Sequence, residues 1–327
     1  MSVVNQFVEK VKGRGLSVVL PEGGDARIVQ AARRIKDQQL AEPIVVGKME
    51  QVEAAVAEAG VSLDGITVID PRTSDRIEAY AEQYMQRRDV APPIAARLVK
   101  KPLMYGGMMV ARGDADAMVA GAASATASVI QAGALAVGYA EGINTPSSFF
   151  LMVIPELEGE RDKPLIYADC AVNIQPTAEE LADIALASAA SAAKLLGEAP
   201  RVAMISFSTR GSAAHADVDK VTQALAIARA RNGELAIDGE FQADTAISPR
   251  VAAKKVKDDS PVAGRANVLI FPDLDTGNAA YKLTQYTSGA QALGPFLQGF
   301  ARPVSDLSRG ASVDDIVSVA AITLAQV

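Results

Sequence analysis

Short apolar runs of strand length recur along this chain, and most are followed by an amphipathic stretch of helix length. That alternation constrains the fold more than any other feature. LSVVLPE (16–22) reads as a strand, and GGD turns it into the helix DARIVQAARRIKDQQ (25–39), with Asp25 able to cap it. PIVVG (43–47) and ITVID (66–70) are strands flanking the helix MEQVEAAVAEAG, which stops at Gly60. A charged helix covers about 73–88, and DAMVAG (116–121) is a strand leading into the small-residue helix AASATASVIQAGALAVGYA (122–140).

The second half keeps the rhythm. SSFFLMVI (147–154) and KPLIYADCAV (163–172) flank the polar turn ELEGERD and read as a hairpin, hence an antiparallel edge. PTAEELADIALASAASAAKLLG is a long helix with Pro176 and Thr177 at its start and Gly197 at its end. RVAMISFS (201–208), a helix over about 213–231, ELAIDGEF, NVLIFPD (267–273) and the helix NAAYKLTQ follow. The whole predicts an α/β protein of three-layer α/β/α domains with mostly parallel sheets. At 327 residues, two domains are expected, with a boundary near EGINTPSS (141–148).

Composition removes several function classes. The net charge of -7 disfavours nucleic acid, leaving room only for a local basic pocket for a small anion. One cysteine, Cys170, and one histidine, His215, rule out a disulfide framework and a His/Cys metal cluster, so no metal site is expected. The N-terminus MSVVNQFVEKVKGRG has charges throughout and no apolar signal core. The run 122–140 is made largely of Ala, Gly, Ser and Thr, a core helix rather than a membrane span. The cytoplasm is the expected compartment.

Ligands of open parallel sheets bind beyond the carboxyl ends of the strands, and four such ends carry unusual loops. VLPEGGDAR reads as a tight turn, with Glu22 and Arg27 able to face a cleft. VAGAASATAS (119–128), with Ser124 and Thr126, offers amide groups at a helix start that would suit a phosphate, or else simple close packing. ISFSTRGSAAH crowds Ser206, Ser208, Thr209, Arg210 and Ser212 at one strand end; Arg210 could grip an anion, and His215 is expected in the first helical turn on the surface. FPDLDTGNAAYKLTQ puts Asp273, Asp275 and Asn278 before a helix bearing Tyr281, Lys282 and Gln285, with Asp275 or Asn278 as the expected cap. Near the C-terminus, DLSRGASVDDI makes Ser312 an N-cap with Asp315 at the third helical position, nearly a capping box. Capping does not explain Ser308 and Arg309, a hydroxyl and a guanidinium suited to a phosphate or carboxylate ligand.

DLSRGASVDDIV (306–317), SPVAGRANVLIFPDLDTGNAAYKLTQ (260–285), LGPFLQG (293–299), ISFSTRGSAAHADVDKV (205–221), DADAMVAGA (114–122) and LPEGGDAR (20–27), taken in their order along the chain, resemble the phosphate acetyltransferase (phosphotransacetylase) family. The likeness spans nearly the whole chain. It implies two α/β domains with the active site in a cleft between them. The first would be discontinuous, 1–145 plus 300–327, and the second 146–299. It implies a homodimer, with no permanent cofactor, no metal and no membrane partner. The implied activity is reversible acetyl transfer between acetyl phosphate and coenzyme A, without a covalent enzyme intermediate. By resemblance, Asp315 is the base for the thiol, Arg309 binds phosphate, and Ser308 hydrogen-bonds the thiol or the developing oxyanion. Thr126, Ser124, Ser208, Arg210, Asn278, Tyr281 and Arg87 are the expected substrate-binding residues, with Arg88 and Arg97 as further arginines. Cys170 is not needed as a nucleophile, because the attacking thiol belongs to the substrate. A helix N-terminus favours an ionised carboxylate, which weakens Asp315 as a base. Where the family usually carries an Arg-Pro pair, this chain has Gln131 and Ala132, which removes a positive charge. The alternatives are the same chemistry on propionyl or butyryl groups, and a non-catalytic ligand-sensing domain of the kind fused to malic enzymes.

Overall fold

The computed structural model describes residues 3–327. The chain forms two compact units, one from its start to Ala140 together with Phe300–Val327, the other Glu141–Gly299. The first contains α1 (Val3–Val11), β1 (Ser17–Leu20), α2 (Ala26–Asp37), β2 (Glu42–Val46), α3 (Met49–Ala59), β3 (Thr67–Ile69), α4 (Ile77–Arg87), α5 (Pro92–Val99), α6 (Pro102–Arg112), β4 (Ala117–Ala120) and α7 (Thr126–Ala132), which runs on as a π-helical turn over Gly133–Val137. The second contains β5 (Ser147–Leu157), β6 (Glu160–Ala168), α8 (Ala178–Leu195), β7 (Arg201–Ile205), α9 (Ala216–Arg231), β8 (Ala236–Phe241), α10 (Ala243–Ile247), α11 (Pro249–Lys255), β9 (Val268–Ile270), α12 (Leu274–Ser288) and β10 (Gln291–Gln298). The chain then returns to the first unit with β11 (Val304–Asp306) and α13 (Val313–Leu324). The mostly parallel α/β architecture expected from the alternation is present.

The first unit's sheet runs β11-β4-β1-β2-β3, parallel throughout. Val18, Val19 and Leu20 of β1 and all of β4 are buried, as continuous apolar runs covered on both faces must be. Because β11, β4 and β1 are neighbours, the loops leaving their carboxyl ends emerge side by side. Helix α6 packs closely on two sides: a Cβ on Gly106 would lie 3.2 Å from Met118 Sδ and 3.4 Å from Val19 Cγ2 on the sheet, and one on Gly107 would lie 2.7 Å from the Ala136 Cβ of the π-helical turn. The expected single helix over 122–140 is instead α7 plus the π-helical turn, and the charged helix begins at Ile77 rather than near 73.

The second sheet runs β10-β5-β6-β9-β7-β8. β6, β9, β7 and β8 are parallel, and the hairpin strand β5 is antiparallel to β6. The hairpin does not supply the edge, however: β10 adds antiparallel to the far side of β5 and covers it. α8 starts in a capping box between Thr177 and Glu180. Among the described residues, no helix is long and apolar enough to cross a membrane.

Candidate active site

Three loops of the first unit, after β1, β4 and β11, are stitched together by two charged side chains. The Glu22 carboxylate accepts four backbone amides of the turn after β4: Gly121 (2.9 Å) and Ala122 (2.9 Å) on Oε2, Ala123 (3.1 Å) and Ser124 (2.7 Å) on Oε1. These are the amides that the sequence offers to a phosphate. The structure corrects that expectation, because an internal carboxylate already fills the nest.

Arg27 joins the other edges. Its Nη1 donates to the carbonyls of Arg309 (2.7 Å) and Ala311 (2.9 Å), and its Nη2 to the Ala122 carbonyl (2.8 Å). Nε and Nη2 also hold Asp25, the cap of α2, with Nη2–Oδ2 at 2.7 Å. The Arg27 guanidinium keeps the Asp25 carboxyl below its ordinary range. One planar fork thus fixes the backbone on either side of Gly310.

On that backbone sit the three residues expected to carry chemistry. Ser308 is exposed, and its Oγ accepts the Gly310 amide at 3.3 Å. The Arg309 guanidinium is exposed and has no hydrogen-bond or ion-pair partner among the described residues. Ser312 caps α13 in a complete capping box with Asp315: the Asp315 amide donates to Ser312 Oγ at 3.2 Å, and Asp315 Oδ2 accepts the Ser312 amide at 2.9 Å. Ser312 Oγ also donates to Asp315 Oδ2 at 2.7 Å. The box uses only Oδ2, so Oδ1 is left to accept a proton. The neighbouring Asp314 is paired with Arg34 at 2.6 Å. Thr126 donates its hydroxyl proton to Asp306 Oδ2 at 2.5 Å, and Ser124 enters the same corner through its amide on Glu22.

The other expected binding residues have structural occupations. Arg87, at the end of α4, donates to the Val137 carbonyl at 3.3 Å, and Arg88 to the Ala134 carbonyl at 3.1 Å, so both serve the π-helical turn. In the second unit Ser208 is fully buried, donating to Glu240 at 2.7 Å and accepting the Ala213 amide at 3.1 Å, which leaves no face for a ligand. Arg210 does not hold out a free fork for an anion. It grips the buried Asp238 at 3.0 and 2.8 Å and Asp258 at 2.8 Å. Asn278 lies inside α12 rather than capping it, and donates to the Cys170 carbonyl at 3.1 Å; the cap is Asp273, not Asp275. Tyr281 stacks on Phe150 with ring centroids 4.0 Å apart. His215 is the N-cap of α9, its Nδ1 accepting the Asp217 amide at 3.2 Å, rather than a first-turn residue. Cys170 is buried, and burial pushes its thiol well above the ordinary value. Among the described residues no group of three or more His, Cys, Asp or Glu side chains is arranged to hold a metal ion.

The profile of the phosphate acetyl/butaryl transferases matches residues 2–324. The chain belongs to that family. It is 43% identical to a phosphate acetyltransferase of Acetivibrio thermocellus over 329 aligned residues, covering 100% of this chain and 98% of the relative. A phosphotransacetylase from Streptococcus pyogenes superposes with a TM-score of 0.90 at 39% identity, covering 99% of this chain and 97% of the other. The EutD phosphotransacetylase from Staphylococcus aureus gives 0.89 at 36% identity, over 99% and 98%.

In this family member Glu22 and Arg27 are legible in the sequence only as residues able to face a cleft, and Asp306 is not legible as a site residue. Asp306 is the last residue of β11 and is 2% exposed. The sequence around it carries little signal, because β11 is only the three residues Val-Ser-Asp. Burial pushes its carboxyl up to about 6, with the Glu22 charge adding and the Thr126 hydroxyl and Leu307 amide opposing.

Proposed function

We propose that the chain is a phosphate acetyltransferase, moving an acetyl group reversibly between acetyl phosphate and coenzyme A in a ternary complex. The observation that carries this reading is the exposed, unpartnered Arg309 guanidinium, held on a braced loop between Ser308 and the capping-box carboxylate Asp315. Full-length similarity to phosphate acetyltransferases supports the acetyl and coenzyme A assignments.

In the forward step the thiol of coenzyme A loses its proton to Asp315 Oδ1. The sulfur forms a bond to the acetyl carbon, the carbon–oxygen bond to phosphate breaks, and phosphate leaves with the bonding pair. Arg309 neutralises the phosphoryl oxygens, and Ser308 donates to the oxyanion or the thiol. Thiols are much weaker acids than carboxylic acids, so full proton transfer before attack is uphill. Proton removal therefore accompanies S–C bond formation, with a cation beside the sulfur lowering the cost. Holding both substrates together supplies much of the remaining acceleration.

Acetyl is the proposed acyl group. One methylene is worth only about 1–3 kcal/mol, so propionyl phosphate is expected to react more slowly rather than not at all. The protein is further proposed to act in the cytoplasm as a homodimer, following its family.

Arg309→Ala tests the reading. Losing a charge-assisted contact worth about 1.5–3 kcal/mol should lower kcat/KM for acetyl phosphate roughly 10- to 100-fold. The melting temperature should stay near wild type, because that side chain holds nothing in the fold. Unchanged kinetics would remove Arg309 from the mechanism.

A further inference from the structure

Helix α12 turns one face into the second unit and the other out of it. On the inner face a Cβ on Gly277 would sit 2.1 Å from the Asp169 carbonyl oxygen, and Tyr281 stacks on Phe150. Half a turn round, Ala279, Leu283 and Tyr286 recur at helical spacing, and all three are exposed. Leu283 is 63% exposed and Tyr286 85%. Ile174, at 71%, stands beside the first turn of α12, where its carbonyl accepts the Leu274 amide at 3.0 Å. Among the described residues, Tyr286, Ile174 and Leu283 are the three most exposed large apolar side chains. Single apolar side chains on a surface need no explanation, whereas three gathered along one helix mark a contact.

We propose that this outer face of α12 binds a second copy of the chain, with the two α12 helices antiparallel about a two-fold axis at the Asn278–Ala279 peptide. The proposal rests on the homodimer reading and gives that dimer its surface. A two-fold contact must be self-complementary, so residues equally far from the axis in opposite directions meet. Asp275 and Lys282 are such a pair, and helical geometry puts both on the same edge of the apolar stripe. Rotation about the axis keeps that edge on one side, so Asp275 of each copy meets Lys282 of the other. Neither has an ion-pair partner within its own chain among the described residues. A parallel arrangement would instead lay the charged edge against the opposite edge, the hydroxyls of Thr276 and Thr287, and pair neither charge.

The apolar groups obey the same symmetry. Ala279 sits next to the axis, and its small side chain lets the helices approach closely. Leu283 mirrors Leu274, so Leu283 and Tyr286 of one copy run past the first turn of the other, where Ile174 stands. Each copy thereby covers the apolar groups that the other leaves bare at the opposite end of the helix. Ion pairs at a surface add little affinity, so the apolar stripe supplies the binding and the charges set the direction of the helices.

Sedimentation velocity of the full chain, with far-UV circular dichroism as the check on folding, compares the wild type with Leu283→Glu, Asp275→Lys, Lys282→Asp and the double charge swap. The wild type should be a dimer at micromolar concentration. Leu283→Glu puts a charge at an exposed position, so it should keep the wild-type spectrum and raise the dimer dissociation constant about 100-fold or more. Each single reversal sets like charges together twice and should raise that constant about tenfold. The double swap should return it to within about threefold of wild type. Ala279→Cys, beside the axis, should cross-link two copies under a mild oxidant, and Ala230→Cys, exposed on α9, should not; Cys170 is buried and takes no part. A dimer that survives Leu283→Glu, or a double swap no tighter than the single reversals, puts the contact elsewhere and overturns the proposal while the homodimer stands. A dimeric Ala279→Cys that does not cross-link does so too. A wild type that stays monomeric overturns the homodimer and this surface together. None of these readouts depends on acetyl transfer.

Discussion

At the scale of single residues, Arg27 and Arg309 show how one side-chain type is used in two ways. Arg27 spends its fork on Asp25 and three carbonyls and is part of the scaffold. Arg309 offers its guanidinium to solvent. Asp314 and Asp315 divide similarly: the first is tied to Arg34, the second keeps one carboxylate oxygen free beside its capping box. Asp315→Asn keeps an oxygen for the Ser312 amide, so α13 should lose no more than about 1 kcal/mol of capping energy. Removing a general base should lower kcat about 10²- to 10⁴-fold. Steady-state kinetics beside a thermal melt checks both; wild-type turnover in the variant would make Asp315 a cap and nothing more.

At the scale of elements, legibility followed burial geometry. β1, β2, β4 and β7 announce themselves because strands covered on both faces are continuous apolar runs. α8 and α13 were legible through their caps, Thr177 and Ser312. α5 and α6 were not: α6 is buried almost all round and carries Gly106 and Gly107 in mid-helix, so it shows neither an amphipathic stripe nor good propensity. β11 has only three residues, and β10 holds a Gly-Pro pair at a register shift between Leu293 and Phe296, which reads as a turn. The Ser308-Arg309 and Ser312-Asp315 spacings were legible because they are local. The roles of Glu22 and Arg27 were not, because their partners lie about 100 and 280 residues away. Nothing in a sequence marks which carboxylate will fill a nest. The site therefore depends on the close approach of two elements, the turn after β4 and the end of β11. Gly121, at φ +114°, has no room for a methyl group beside Asp306 and Leu307. Gly121→Ala should cost more than about 3 kcal/mol through overpacking and backbone strain. Urea titration would measure that loss, and a near-neutral result would mean that the two loops are not in contact.

At the scale of the whole molecule, the chain leaves its first unit at Ala140 and returns to it at Phe300. The return supplies β11 and α13, and with them Asp306, Ser308, Arg309 and Asp315, to a sheet whose other four strands come from the first 140 residues. The sheet order β11-β4-β1 then brings their three loops together at the carboxyl ends, where parallel sheets bind ligands. The central claim is that this assembled corner transfers an acetyl group to coenzyme A. Initial rates of thioester formation from acetyl phosphate and coenzyme A, followed by absorbance with propionyl phosphate in parallel, test it most directly. The expected result is saturable turnover with both, and the higher kcat/KM for acetyl. Coenzyme A binding by the folded protein with no turnover of either acyl phosphate would contradict it and point to a ligand-sensing protein on the same fold.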